Sequence, residues 1–193
     1  MRVVALRVRI AAMDSLTIEL PPQRTQTAFN LRRWAELLAD PEMRKIVGRV
    51  ETDRHGQIIM SPSAAASRGG YQSEIAYLLR SQMHSGRVHT ECPISTADGV
   101  RAADVAWASD ACMRELGAQI CFPRAPEICV EVLSPDNSAA EMREKTALYF
   151  DAGAKEVWHC SRVGQMTFFV AGRAAALRSS RLCPDFLALV KLR

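Results

Sequence analysis

Two acidic residues sit where packing alone would place an aliphatic one. Asp104 lies within Arg101-Ala-Ala-Asp-Val-Ala-Trp107, and Glu131 within Ala125-Pro-Glu-Ile-Cys-Val-Glu-Val-Leu-Ser-Pro-Asp136. Both stretches read as largely apolar strands, and a carboxylate inside such a strand is costly unless a partner or a metal ion compensates it. If the strands are neighbours, the two acids can share one hard cation, because Mg²⁺ takes oxygen ligands and keeps several waters. Such an ion offsets the acids' repulsion, polarises a phosphodiester and lowers the pKa of a bound water. Lys145, on the helix expected after the second strand, could orient that water or stabilise charge developing on phosphate. Glu74, near the start of an earlier helix, is a candidate further ligand if that helix packs beside the sheet.

Each of these residues also has a plainer reading. An isolated acid in a strand usually faces solvent on an open side of the sheet; it is the pair, on two apolar strands, that favours a site. Lys145 belongs to Glu141-Met-Arg-Glu-Lys, which on its own reads as a solvated helix face with a Glu141–Lys145 pair. Glu74 stands evenly between the two readings. His55, His84, His89 and His159 form no metal-ligand spacing, and Ser134, ahead of Pro135, suits a strand end or a helix cap. No phosphate-cradling glycine loop and no nucleophile elbow is present.

The elements that would position these groups follow from periodicity. Ile128 to Leu133 is short, apolar and β-branched, set between Pro126 and Ser134-Pro135, and reads as a strand buried on both faces. Asp136, Asn137 and Ser138 offer N-caps to a helix over 139–152 that stops at Gly153, and 154–160 resumes a strand. Upstream, 88–96 and 100–108 predict a hairpin turning at Asp98-Gly99, preceded by a helix over 71–83 and a loop through Ser67-Arg-Gly-Gly70. Ahead of these come a short strand over 15–20, a helix over 27–39 capped by Thr25 or Thr27, and a hairpin from 47–51 and 57–60. A helical turn is expected at 113–116, a strand at 165–170 and apolar segments around Pro184-Asp185. A hairpin followed by a strand–helix–strand crossover makes a mixed sheet with helices packed on it.

At 193 residues, 48% of them hydrophobic, the chain has material for one well-cored domain and is not a disordered one. A formal charge of +4 permits a nucleic-acid partner without demanding it. The six cysteines show no zinc spacing and mostly fall in expected strands, as reduced core residues of a cytoplasmic protein would; Cys112 and Cys121 fall in a loop. Arg7 and Arg9 break the first apolar run after four residues, too soon for a signal peptide, and no stretch is long enough to span a membrane. Met13 is an alternative start, which would make the first dozen residues an extension.

Ala103-Asp104, Pro126-Glu-Ile-Cys-Val-Glu131-Val-Leu-Ser-Pro135, Lys145 with Tyr149, and Gly153-Ala-Lys-Glu-Val-Trp158 together resemble the Uma-two family of bacterial endonucleases, similar in fold to the PD-(D/E)XK restriction-endonuclease superfamily. The resemblance implies a restriction-endonuclease-like α/β fold, a mixed central sheet flanked by helices. The match covers roughly Val47 to Val170; the whole chain is expected to be one domain over 1–193, with an N-terminal extension and helix (1–46), a nuclease-like core (47–170) and a C-terminal strand extension (171–193), its N-terminal and C-terminal strands extending the central sheet. The resemblance implies Asp104 and Glu131 as metal ligands and Lys145 in the role of the superfamily lysine; Glu74 is the accessory candidate on its position alone. That lysine normally stands two residues after the glutamate, where this chain has Leu133; the usual proline before the aspartate is Ala103, and a histidine common before the first long helix is absent from Ser67-Arg-Gly-Gly70.

The expected function is therefore Mg²⁺- or Mn²⁺-dependent hydrolysis of a nucleic-acid phosphodiester, DNA being the expected form, with a homodimer as an open possibility because duplex cleavage takes two sites. The alternative is a catalytically inactive nuclease-fold module that binds nucleic acid or protein. A third reading is an oligomerisation protein in which a basic residue neutralises Glu131, and acids on opposite sides of the sheet would favour it.

Overall fold

The computed structural model of the chain describes residues 5–8, 16–19, 23–61, 66–117, 119–135 and 137–192. In chain order the elements are β1 (Ala5–Val8), β2 (Leu16–Glu19), α1 (Gln23–Ala39), β3 (Arg49–Thr52), β4 (Ile58–Ser61), α2 (Ala66–Gln82), β5 (Arg87–Thr96) and β6 (Gly99–Ala108). Then follow α3 (Asp110–Leu116), β7 (Ile128–Val132), α4 (Ala139–Asp151), β8 (Glu156–Cys160) and β9 (Met166–Val170). Strands β5 to β9 form one sheet in sequence order. The β7–β8 pair is parallel, joined by α4 as its crossover, and every other pair is antiparallel. This is the mixed α/β architecture expected.

The sheet is covered on both faces, which is why β7 is buried at all five positions. On one side Ile75 and Leu79 of α2 pack with Val105, Val130 and Trp158. On the other, Tyr149 and Ala152 of α4 and Cys112 and Leu116 of α3 pack with Ala106, Cys129 and Val157. Trp34 and Leu37 of α1 close a third cluster over Val100 and Cys121. All six cysteines are buried and free. Among the described residues no helix is long and apolar enough to cross a membrane.

Three expectations are corrected. Helix α2 begins at Ala66, so Ser67-Arg-Gly-Gly70 is helical and not a loop. A glycine normally costs a helix about 1 kcal/mol relative to alanine; here a Cβ on Gly70 would lie 3.2 Å from Leu192, so the small residue lets the C-terminal segment pack against the helix. Strands β1 and β2 form a two-stranded sheet of their own and do not extend the central one. The segment after β9 is not a strand either: it meets the sheet edge only in the bridges Phe168–Leu177 and Gln165–Leu189. Met13 and the Asp136 cap lie outside the described residues; Ser138 caps α4, accepting from the Glu141 amide.

The reason for the third correction is Glu156, which is buried at the start of β8. Its Oε1 accepts from the backbone amides of Arg181 (2.7 Å) and Leu182 (2.9 Å), taking donors a ladder would need. Its Oε2 accepts from Trp158 Nε1 and Ser180 Oγ, both at 2.7 Å. In Glu156→Gln the amide NH₂ must face donors on one side or the other. A loss of about 1–3 kcal/mol is expected for the buried donors left unsatisfied, read as a lower denaturation midpoint in urea; an unchanged midpoint would show that Glu156 does not anchor the C-terminal segment.

Candidate active site

Strands β6 and β7 pair only from Trp107–Ile128 to Val105–Val130. One step further the ladder stops: the Val132 amide donates to the Asp104 side chain (Oδ2, 2.6 Å) instead of to main chain. Asp104 thus stands where the ladder opens beside Glu131, and the two acids share the Arg49 guanidinium. Both are buried, at 0% and 3% exposure, which no solvent-facing reading allows.

Neighbouring elements supply the compensating cations. Arg68, on the first turn of α2, reaches Asp104 Oδ1 through Nη2 at 2.6 Å. Arg49, on β3, which packs across β6, places Nη1 3.0 Å from Asp104 Oδ1 and 3.8 Å from Glu131 Oε2, and its Nη2 donates to the Ala102 carbonyl. Lys145, on α4, sits 3.2 Å from Glu131 and 2.9 Å from Glu51 Oε1, and Glu51 also accepts from the Ala102 amide at 2.8 Å. The result is a buried row of alternating sign, Arg68–Asp104–Arg49–Glu131–Lys145–Glu51. Tyr149, one turn beyond Lys145, donates to Glu131 Oε1 at 2.6 Å.

The row sets the ionisation of its members. Burial raises the Glu131 carboxyl, and the nearby Asp104 charge adds to this against Lys145 and Arg49; its pKa lies above the ordinary carboxylate range. Burial also acts to raise Glu51, but Lys145 and then Arg49 outweigh it and hold Glu51 below that range. Burial alone would lower Arg49, yet Glu131, Asp104 and Glu51 keep it firmly protonated. Tyr149 is pushed upward by burial and by Glu131, so it remains an O–H donor.

Asp104, Glu131 and Lys145 are brought together: Arg49 links the two acids and Lys145 pairs with Glu131. The pair expected between Lys145 and Glu141 does not form: Lys145 turns inward, while Glu141 accepts from Asn137 Nδ2 at 3.3 Å. Glu74 is half-buried on α2 and does not line the cavity at the row, and none of the described polar contacts joins it to Asp104 or Glu131. Arg49, Glu51 and Arg68 are the residues sequence reasoning missed. Arg49 and Glu51 alternate with Val50 and Thr52, which marks one charged strand face, but nothing local says that face meets a sheet. The row opens onto a cavity of about 530 Å³, lined among others by Arg68, Tyr71, Leu133 and Lys145.

The donor set suits a hard divalent cation, since it consists of carboxylate oxygens. The Arg49 guanidinium lies between the two acids, its Nη1 3.0 Å from Asp104 Oδ1 and 3.8 Å from Glu131 Oε2. Among the described residues no three His, Cys, Asp or Glu side chains form a ready-made metal cluster, so water would supply the remaining ligands.

A five-stranded mixed sheet with a βαβ crossover, and acids and a lysine collected where it splays, define an α/β protein of nuclease-like fold. Residues 34–180 match the Uma2 family, described as "Putative restriction endonuclease", and the chain belongs to that family. A crystal structure of "a putative nuclease belonging to DUF820" from Anabaena variabilis ATCC 29413 superposes with a TM-score of 0.61 at 21% identity, covering 82% of this chain and 88% of that one. No curated protein matches the sequence.

Proposed function

We propose that the protein is a divalent-metal-dependent endonuclease acting on nucleic-acid phosphodiesters, with DNA the favoured substrate. The observation carrying this reading is the convergence of three groups from separate elements: Asp104 and Glu131, buried on adjacent strands where their ladder stops, with Lys145 Nζ 3.2 Å from Glu131. Asp104 and Glu131 would hold Mg²⁺ or Mn²⁺, which when bound polarises the phosphoryl group and lowers the pKa of a bound water. Lys145 would orient the attacking water and stabilise negative charge developing on the phosphate. Glu51 would be a positioning residue, holding the Lys145 ammonium at 2.9 Å. Tyr149 fixes the Glu131 carboxylate by donating to Oε1, leaving Oε2 towards Arg49. Arg68 orients Asp104 from the other end of the row.

The expected result is cleavage of DNA in Mg²⁺ or Mn²⁺ that stops on addition of EDTA and returns with excess metal. Failure to cut single-stranded DNA, duplex DNA or RNA in either metal would overturn the assignment. One observation favours a second reading, a nuclease-fold binding module without catalysis: Arg49 already neutralises both acids. Calorimetric titration with Mn²⁺ separates the two, because only the enzyme reading requires the ion to compete with Arg49 and release heat.

A further inference from the structure

The acid–base row uses only one of two cavities that meet beyond the carboxyl end of β7. The second, of about 700 Å³, opens on the opposite flank of α4, and Leu133, Ser134, Pro135, Asn137 and Arg162 line both. Its volume falls in the range of small-ligand sites, about 300–1,000 Å³. The cavity lies on the same side of the sheet as the acids. His159 is the cross-strand partner of Glu131, and Phe169 pairs with Val157 on that same face. Phe169 is therefore two strands over and two residues back from Glu131, roughly 12 Å at the usual strand spacing of about 4.8 Å and rise of about 3.3 Å per residue.

The chemistry of the walls is specific. His159 and Phe169 touch, with ring centroids 4.8 Å apart, and Phe150 of α4 lines the same space. The Thr146 hydroxyl donates to the Met142 carbonyl at 2.7 Å and so accepts from His159 Nε2 at 3.0 Å, which holds the imidazole in place. Burial, with Lys145 adding to it, pushes His159 down to about 4, so the ring is uncharged near neutral pH. Around this aromatic surface stand three exposed arginines, Arg143, Arg162 and Arg173, and among the described residues no acidic side chain lines the cavity. Aromatic faces ringed by arginine, without a carboxylate, are the combination that holds a base and its phosphate.

We propose that this cavity binds one unpaired nucleotide of the strand whose neighbouring phosphodiester lies at Asp104 and Glu131. The base stacks on Phe169 with the tilted His159 ring against its edge, Arg162 and Arg173 meet the backbone, and the strand passes between the cavities over Ser134 and Pro135. The inference rests on the nuclease reading and adds a substrate class to it: nucleic acid that is single-stranded, or opened, beside the cut. A base held in a stacked duplex cannot enter a side cavity without leaving its stack.

The test uses the full chain in EDTA, so that nothing is cut, with a labelled single-stranded oligonucleotide, the same sequence as duplex, and a single strand carrying 2-aminopurine. The wild type is expected to prefer the single strand and to quench 2-aminopurine on binding. Phe169→Leu is expected to weaken single-strand binding by about tenfold, the scale of one lost base–aromatic stack, and to abolish the quenching. Arg173→Glu, at an exposed turn position where folding is not at stake, should weaken binding and flatten the dependence of log K on log salt by about one phosphate contact. If both variants bind as the wild type does while the wild type cleaves in Mn²⁺, the cavity assignment falls and the nuclease reading stands. A wild type that prefers duplex also overturns the assignment. If the wild type neither binds nor cuts any nucleic acid, both readings fall together.

Discussion

Asp104→Asn is expected to abolish metal-dependent cleavage, by on the order of a thousandfold or more, as when one member of an interdependent catalytic set is removed. Asparagine keeps the shape of the side chain but has a single acceptor oxygen. The native carboxylate uses Oδ2 for the Val132 amide and Oδ1 for Arg49 and Arg68, so the variant must turn its NH₂ towards one of these donors. A loss of about 1–3 kcal/mol of stability from the unsatisfied buried donor is therefore expected beside the catalytic defect. The two effects separate by assaying below the variant's melting temperature and by titrating Mn²⁺. A folded variant that binds Mn²⁺ weakly and does not cut supports Asp104 as a metal ligand. A folded variant that cuts at the wild-type rate removes it from the site.

Lys145→Met should lower cleavage by about 10²–10³-fold, the usual scale for losing one group that stabilises transition-state charge. It also removes the cation shared by Glu131 and Glu51, and breaking a buried pair in this way costs about 3–5 kcal/mol. The sign with pH follows from Glu131. Burial already raises its carboxyl in the wild type, and Lys145 is the largest influence holding it down, so the substitution raises it further. A carboxyl whose pKa is raised by folding contributes stability that is fully present below its unfolded pKa, about 4.3, and lost as pH rises through the folded one. Lys145→Met should consequently melt at a higher temperature at pH 5 than at pH 8. Melting at the wild-type temperature at pH 8 would show that Lys145 does not neutralise the two acids.

The division between what local pattern reveals and what it hides is visible residue by residue. Strand β7 announced itself because a β-branched run between prolines has few alternatives, and Glu131 stood out within it as a charge with no local partner. The hairpin of β5 and β6, and the crossover through α4, were legible for the same reason: a hydrophobic period of two or 3.6 is written in consecutive residues. Asp104 and Glu131 could thus be paired before any contact was known. The direction of Lys145 could not. Glu141, Lys145 and Tyr149 fall on one stripe of α4, and whether that stripe meets solvent or a sheet depends on what packs against it. The start of α2 was hidden because Gly69-Gly70 has the composition of a loop, and only contact with Leu192 reveals why a helix tolerates glycine there.

The order of apolar and charged residues along the chain was enough to establish an α/β domain with acids buried in two of its strands, because burying a carboxylate is costly wherever the strand lies. Which cations meet those acids was settled by long-range packing. Arg49 and Glu51 come from a hairpin laid across β6, Arg68 from a helix on the opposite face and Lys145 from the crossover, and these elements are far apart in the chain. Coulombic partnership depends on distance in space, and sequence separation carries no information about that distance until the sheet has formed.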